Sequence, residues 1–375
     1  MSGKRYLNTE CMTEISAKQW DYVIQANLTA REAVEYLKHN MRVRTFTEIV
    51  REVYGDGLRE ETLFQGLYKI SLLEESEKVH PASIRRKIRN WMNQQNMPTN
   101  REEVFRICFA LGLDLEQSEK MLCRLTEQGI HYRNRREVIY AYCLKYHMDF
   151  ENALLLQRQF GDKSGEGEKS EEVGNTPMTH IMKSEFRKLQ AEEDLFTFIM
   201  KYRTDMGDIH NTAYSYFCKM LNILSGEELE GEEKYSMENI MEYYLRFNMP
   251  LDKKTSGYSN VQKVIKKYWP GIRSIKAMKS RKEDITRKVL LLLYIATGGV
   301  WDEQYDETDE AYTDGSQFLE FHCKCMNRML KECGMNRIDP RNIFDYLIIY
   351  CLRPEDDMFM SDRLASVISQ IFEVS

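Results

Sequence analysis

The side chains best suited to chemistry lie between Pro81 and Asn93: Arg85, Arg86, Lys87, Arg89, Asn90 and Asn93. A guanidinium can donate two parallel hydrogen bonds to guanine, and a side-chain amide can do the same for adenine, so this density of Arg and Asn suits a nucleic-acid groove. On a helix, Arg86, Arg89, Asn90 and Asn93 fall opposite Ile84, Ile88 and Trp91, which leaves one polar and one apolar face. The competing reading is that any surface helix turns a basic, solvated face to water. A second basic run holds Lys263, Lys266, Lys267, Arg273, Lys276, Lys279, Arg281, Lys282, Arg287 and Lys288, opposed within it only by Glu283 and Asp284. Such a cluster can neutralise phosphates and release their counterions without reading sequence. It can equally dock on the chain's own acidic stretch at Asp302, Glu303, Asp306, Glu307, Asp309 and Glu310.

Other groupings point away from catalysis. His322, Cys323, Cys325 and Cys333 crowd one segment, but positions 323 and 325 of a helix point to opposite sides, whereas zinc needs convergent ligands. Cys143 and His147 stand one helical turn apart without a second pair of ligands. No phosphate-binding glycine loop, nucleophile elbow or H-E-x-x-H motif occurs. The paired carboxylates Glu102–Glu103 and Glu192–Glu193 are adjacent and diverge around a helix, which suits solvent better than proton transfer. The chain is therefore expected not to be an enzyme, and to use no cofactor and no metal.

The elements that would hold these side chains are helices. Proline is scarce, at 7 of 375 residues, and apolar residues recur at three- and four-residue spacing, as in Phe186, Leu189, Leu195, Phe196 and Ile199. Strand-type alternation is absent, so the predicted fold class is all-α. Thr29 with Glu32 predicts a capping box ahead of Ala30, and a second helical run ends at Gly55-Asp56-Gly57. Hydrophobic residues at 42% and charged residues at 30% describe an ordinary core and surface. Nine cysteines, an odd number scattered through helical patterns, suit reduced thiols. The N-terminal MSGKRYLNTE has no signal-like apolar run, and the longest apolar stretch, Val289 to Ala296, is too short for a membrane span. Together these predict a cytoplasmic protein with no membrane segment. The Gly-, Ser- and Glu-rich residues 161–177 read as a flexible linker. The expected map is a helical lead-in at 1–60, a helical domain at 61–160, the linker, and a C-terminal helical domain at 178–375.

Between Met97 and Leu115 the chain reads MPTNREEVFRICFALGLDL: a proline turn, a helix carrying Val104, Ile107, Cys108 and Leu111, then Gly112 and Leu113-Asp114-Leu115. Preceded by the helix that opens at Pro81, this order resembles the helix-turn-helix of the lambda-repressor-like (Xre) family over residues 62–125. The likeness departs from the family at Lys78-Val79-His80-Pro81, where a small Gly-Ile/Val-Ser turn is usual. It implies that the helix from Pro81 to Asn93 lies in the major groove. A weaker second copy resembles the same pattern over 263–299, with Ile275 and Met278 as its buried pair and Ile285 where the family has proline.

The resulting expectation is a bacterial-type, DNA-binding transcriptional regulator. Arg85, Arg86, Arg89 and Asn90 would approach the bases of double-stranded DNA, and Lys276, Lys279, Arg281 and Lys282 would hold phosphates. The alternative is a scaffold or protein-interaction module in which both helix-turn-helix-like units serve only for packing. A reader exposes the arginines of the Pro81 helix, and a scaffold pairs them internally. The amphipathic C-terminal segment with Leu364, Val367, Ile368 and Ile371 would either cover its own domain or form a homodimer face.

Overall fold

A computed structural model describes residues 28–41, 44–74, 80–93, 97–98, 100–160, 178–207, 209–225, 237–251, 257–267, 269–299, 315–352 and 358–373. The described chain is all-α, with no strand; its one β-type pairing is an isolated bridge between Gln128 and Met335. None of its helices is long and apolar enough to cross a membrane. The predicted linker at 161–177 and the acidic stretch at 301–314 lie outside the described residues.

The helix boundaries follow local chemistry. Thr29 accepts a hydrogen bond from the Glu32 amide, and Glu32 accepts one back from the Thr29 amide at 2.8 Å, so helix Ala30–Asn40 begins with the expected box. Thr45 and Glu48 repeat the device ahead of helix Phe46–Tyr54, which stops at Gly55 because φ there is +95°. Pro81 stands in the first turn of helix Pro81–Met92, where its missing N–H costs nothing. Asn100, Asn134 and Asn342 cap the helices that follow them with their side-chain oxygens.

Packing divides the chain into two compact units that do not follow its order. One comprises residues 44–213 with 330–336. Its core joins Phe46, Leu63, Ile88, Trp91, Phe105, Ile107, Met121, Leu122, Tyr140 and Phe150. Helix Glu60–Leu73 lies across both Pro81–Met92 and Arg101–Ala110, and Phe46–Tyr54 against Leu115–Thr126. Gly66 is what lets the crossing close: a Cβ built there would stand 2.5 Å from the Ala110 carbonyl oxygen. The expected division at 161–177 is corrected here, because Met182, Phe186, Leu195, Phe198 and Ile199 bury their side chains in this same core. Helices Met178–Phe186 and Glu192–Lys201 therefore belong with residues 44–160, and apolar burial, not chain order, sets the boundary.

The other unit is built from residues 1–43, 214–329 and 337–375. Helix Arg287–Ala296 is its centre, with Val289 to Ile295 all buried, and it packs on Ile343–Cys351 and Met360–Glu373. The expected lead-in is split: helix Phe46–Tyr54 joins the first unit, whereas Ala30–Asn40 docks here on Met360–Glu373 and stacks Tyr36 on Tyr346 at 5.3 Å. Leu364, Val367, Ile368 and Ile371 are buried, so the C-terminal helix covers its own unit, with Phe359 left 75% exposed just before it.

Candidate nucleic-acid interface

Helix Pro81–Met92 places the candidate residues by burying one face. Ile84, Ile88 and Trp91 enter the core, with Trp91 5.5 Å from the Phe46 ring, so the opposite positions must face solvent. The basic residues then separate into two groups. Arg85 is committed to the neighbouring helix: it donates to both Glu61 oxygens, at 2.8 and 3.3 Å, and lies over the Phe64 ring at 3.6 Å. The hydrogen bonds of this pair hold the Glu61 carboxyl below its ordinary range and the guanidinium above its own. Lys87 pairs with Glu103 of helix Arg101–Ala110 and sits over Trp91. Arg86 and Arg89, by contrast, are exposed and have no partner among the described residues, and Asn90 beside them is half-buried. The open set is thus Arg86, Arg89 and Asn90, and Arg85 stands apart as a residue that ties two helices together.

The second basic run is distributed in the same way. In helix Ile272–Lys279, Ile275 and Met278 are buried as expected, and Lys276 is turned outward and paired with Glu238. Lys279 is exposed, and its carbonyl accepts a 2.9 Å hydrogen bond from Tyr214 Oη. Arg281 has a positive φ of 54° and rests its guanidinium 4.1 Å above the Tyr214 ring. Lys282 is exposed without a partner among the described residues. Arg287 does not belong to the surface run: it is buried and donates to both oxygens of Asp345, at 2.7 Å each. Its place in a run of cations was misleading, because only the tertiary structure brings Asp345 to it.

The rejected metal groupings also have definite positions. Cys323 and Cys325 are both buried, and Tyr294 Oη lies 2.7 Å from His322 Nδ1. Burial pushes His322 down to about 4, which keeps its ring neutral. Cys143 is buried with its thiol pushed up to about 12, whereas His147 is exposed at a positive φ of 53°. One buried polar pair escaped sequence reasoning altogether. His131 and His210 stack with ring centroids 3.4 Å apart, and burial, then His210 and two arginines, hold His131 well below the ordinary imidazole range. Nothing in their spacing of 79 positions signals that contact.

Compared with models of protein families, with curated proteins and with solved structures, the chain finds no match.

Proposed function

We propose that the protein is a DNA-binding transcriptional regulator of bacterial type, with Pro81–Met92 as the helix that enters the major groove. The observation that carries this reading is the open set on that helix: Arg86 and Arg89 project to solvent without partners among the described residues, while the opposite face is anchored by Ile84, Ile88 and Trp91. A well-packed helix whose guanidinium groups are open among the described residues suits direct base readout. Lys276, Lys279, Arg281 and Lys282 supply positive charge for phosphate oxygens. The Lys276–Glu238 pair is exposed on both sides and screened by solvent, so it gives way readily to a phosphate.

The second reading, a protein-interaction scaffold, is favoured by the pairing of Arg85 with Glu61 and of Lys87 with Glu103, which uses basic residues of the same helix for packing. One titration separates the two. Fluorescence anisotropy of a labelled random-sequence duplex, read at several salt concentrations, is expected to show salt-sensitive binding that Arg86→Ala with Arg89→Ala weakens. The salt slope should fall by about 0.9 for each phosphate that the variant no longer neutralises. Helical circular dichroism and melting temperature should barely change, since both side chains are exposed. No binding by the wild-type chain at the lowest salt transfers the assignment to the scaffold.

A further inference from the structure

The two units repeat one another in details that helix packing alone does not require. Arg101 is the first residue of its helix, follows a capping Asn100 whose side chain accepts from the third residue's amide, and donates to both oxygens of Glu137 at 2.6 Å. Arg287 is likewise the first residue of its helix, follows a capping Thr286 that accepts from the third residue's amide, and donates to both oxygens of Asp345 at 2.7 Å. Glu137 and Asp345 each stand three residues after a capping asparagine, Asn134 and Asn342, and each is followed by Tyr-Cys-Leu at the same offset, 142–144 and 350–352. Each carboxylate also accepts one loop amide, from His131 at 2.7 Å and from Asp339 at 2.8 Å. In each unit the arginine's second terminal nitrogen reaches a loop carbonyl, Gly129 at 2.7 Å and Arg337 at 3.2 Å.

The helices headed by those arginines also end alike. The amides of Leu111, Gly112 and Leu113 bond to the carbonyls of Ile107, Phe109 and Cys108, and those of Thr297, Gly298 and Gly299 to Leu293, Ile295 and Tyr294. These are the same sequence offsets, with φ of +62° at Gly112 and +65° at Gly298. The preceding helices match once the connection is allowed to be one residue shorter in the second unit, Asn93 lying eight residues before Arg101 and Ser280 seven before Arg287: the buried pair Ile88 and Trp91 then stands against Ile275 and Met278, and the closing residue Asn93 against Ser280, whose amides bond to the carbonyls of Arg89 and Lys276. In that register Arg86 corresponds to Arg273, and Arg89 to Lys276. Arg273 is exposed and, like Arg86, has no partner among the described residues.

We infer that the chain carries the same module twice, and that Arg273 and Lys276 on helix Ile272–Lys279 form a second DNA-contacting face equivalent to Arg86 and Arg89. The inference rests on the DNA-binding reading above. It makes Arg273, which lies outside the set assigned to phosphates, a contact residue. It also gives a single chain the two modules that one-module helix-turn-helix proteins obtain by dimerising.

The test is anisotropy with the fluorescein-labelled random-sequence duplex over a salt series, comparing wild type, R86A/R89A, R273A/K276A and the charge-conserving R273K/K276R. Equal circular dichroism and urea midpoints establish that each variant is folded. The expected result is that R273A/K276A weakens binding about tenfold or more, as R86A/R89A does, and lowers the log–log salt slope by about 2, whereas R273K/K276R retains most of the affinity. Wild-type affinity and slope in R273A/K276A, with binding still weakened in R86A/R89A, overturns the second face together with the phosphate contact assigned to Lys276, and leaves Pro81–Met92 standing as the DNA-contacting helix. Absence of binding by wild type at the lowest salt overturns both.

Discussion

Arg287 and Asp345 are the most thoroughly buried charges described in the protein, with side chains 2% and 1% exposed. Burying such a pair is costly, and it is tolerated because two parallel hydrogen bonds and the Asp339 amide satisfy the carboxylate. Asp345→Ala leaves the guanidinium without its counter-ion, and urea denaturation should show a loss of about 3–5 kcal/mol. Replacing both residues by Met and Leu should recover much of that loss, because the desolvation penalty then disappears. His322 has a different consequence. Burial pushes its pKa down to about 4, so between the ordinary imidazole value and that point the unfolded chain binds the proton more readily than the folded one. Its contribution to stability is complete above about pH 6.5 and declines as the pH falls toward 4, by up to about 1.4 kcal/mol per pH unit. Urea midpoints across that window should show this slope in wild type and a shallower one in His322→Phe.

At the scale of the element, helix Glu60–Leu73 illustrates how position reverses a propensity. Glycine inside a helix ordinarily costs about 1 kcal/mol relative to alanine. At Gly66, however, an added Cβ meets the Ala110 carbonyl oxygen at 2.5 Å and the Ala110 Cβ at 2.7 Å, and neither can move without shifting a helix. Gly66→Ala is therefore expected to destabilise by about 1–3 kcal/mol, the range for overpacking, and Gly66→Val by more, measured as a drop in melting temperature. Helix Pro81–Met92 was legible as an element because its proline, its apolar spacing and its polar face are local facts. Which of its cations are engaged was not, because Glu61 and Glu103 reach Arg85 and Lys87 from helices 24 and 16 positions away.

For the whole molecule, chain order and spatial order disagree. Helix Ala30–Asn40 docks against Met360–Glu373, more than three hundred residues further along, with Leu37 fully buried. Leu37→Ala should lower the unfolding free energy by about 2–5 kcal/mol, as large-to-small changes in a packed core do. Removing residues 1–41 should expose the face of the terminal helix that this segment covers, read as binding of an apolar dye at pH 7. The DNA titrations also belong to this scale: a net charge of -6 repels a polyanion in bulk, so binding has to arise from basic faces that act within about 10 Å at 0.1 M salt.

By itself the sequence determined what depends on near neighbours along the chain. The all-α class follows from apolar periodicity, the capping box at Thr29 follows from residues three positions apart, the buried face of Pro81–Met92 follows from helical spacing, and the buried pair Ile275 and Met278 was implied by the family resemblance. The tertiary structure decided what depends on distant residues meeting. It moved the unit boundary from 161–177 to residues 43–44 and 213–214, withdrew Arg287 from the basic surface into a bond with Asp345, committed Arg85 to Glu61, and stacked His131 on His210. Hydrophobic burial has no direction along the chain, and an ion pair forms only where packing has already brought its partners together, so neither can be read from spacing alone.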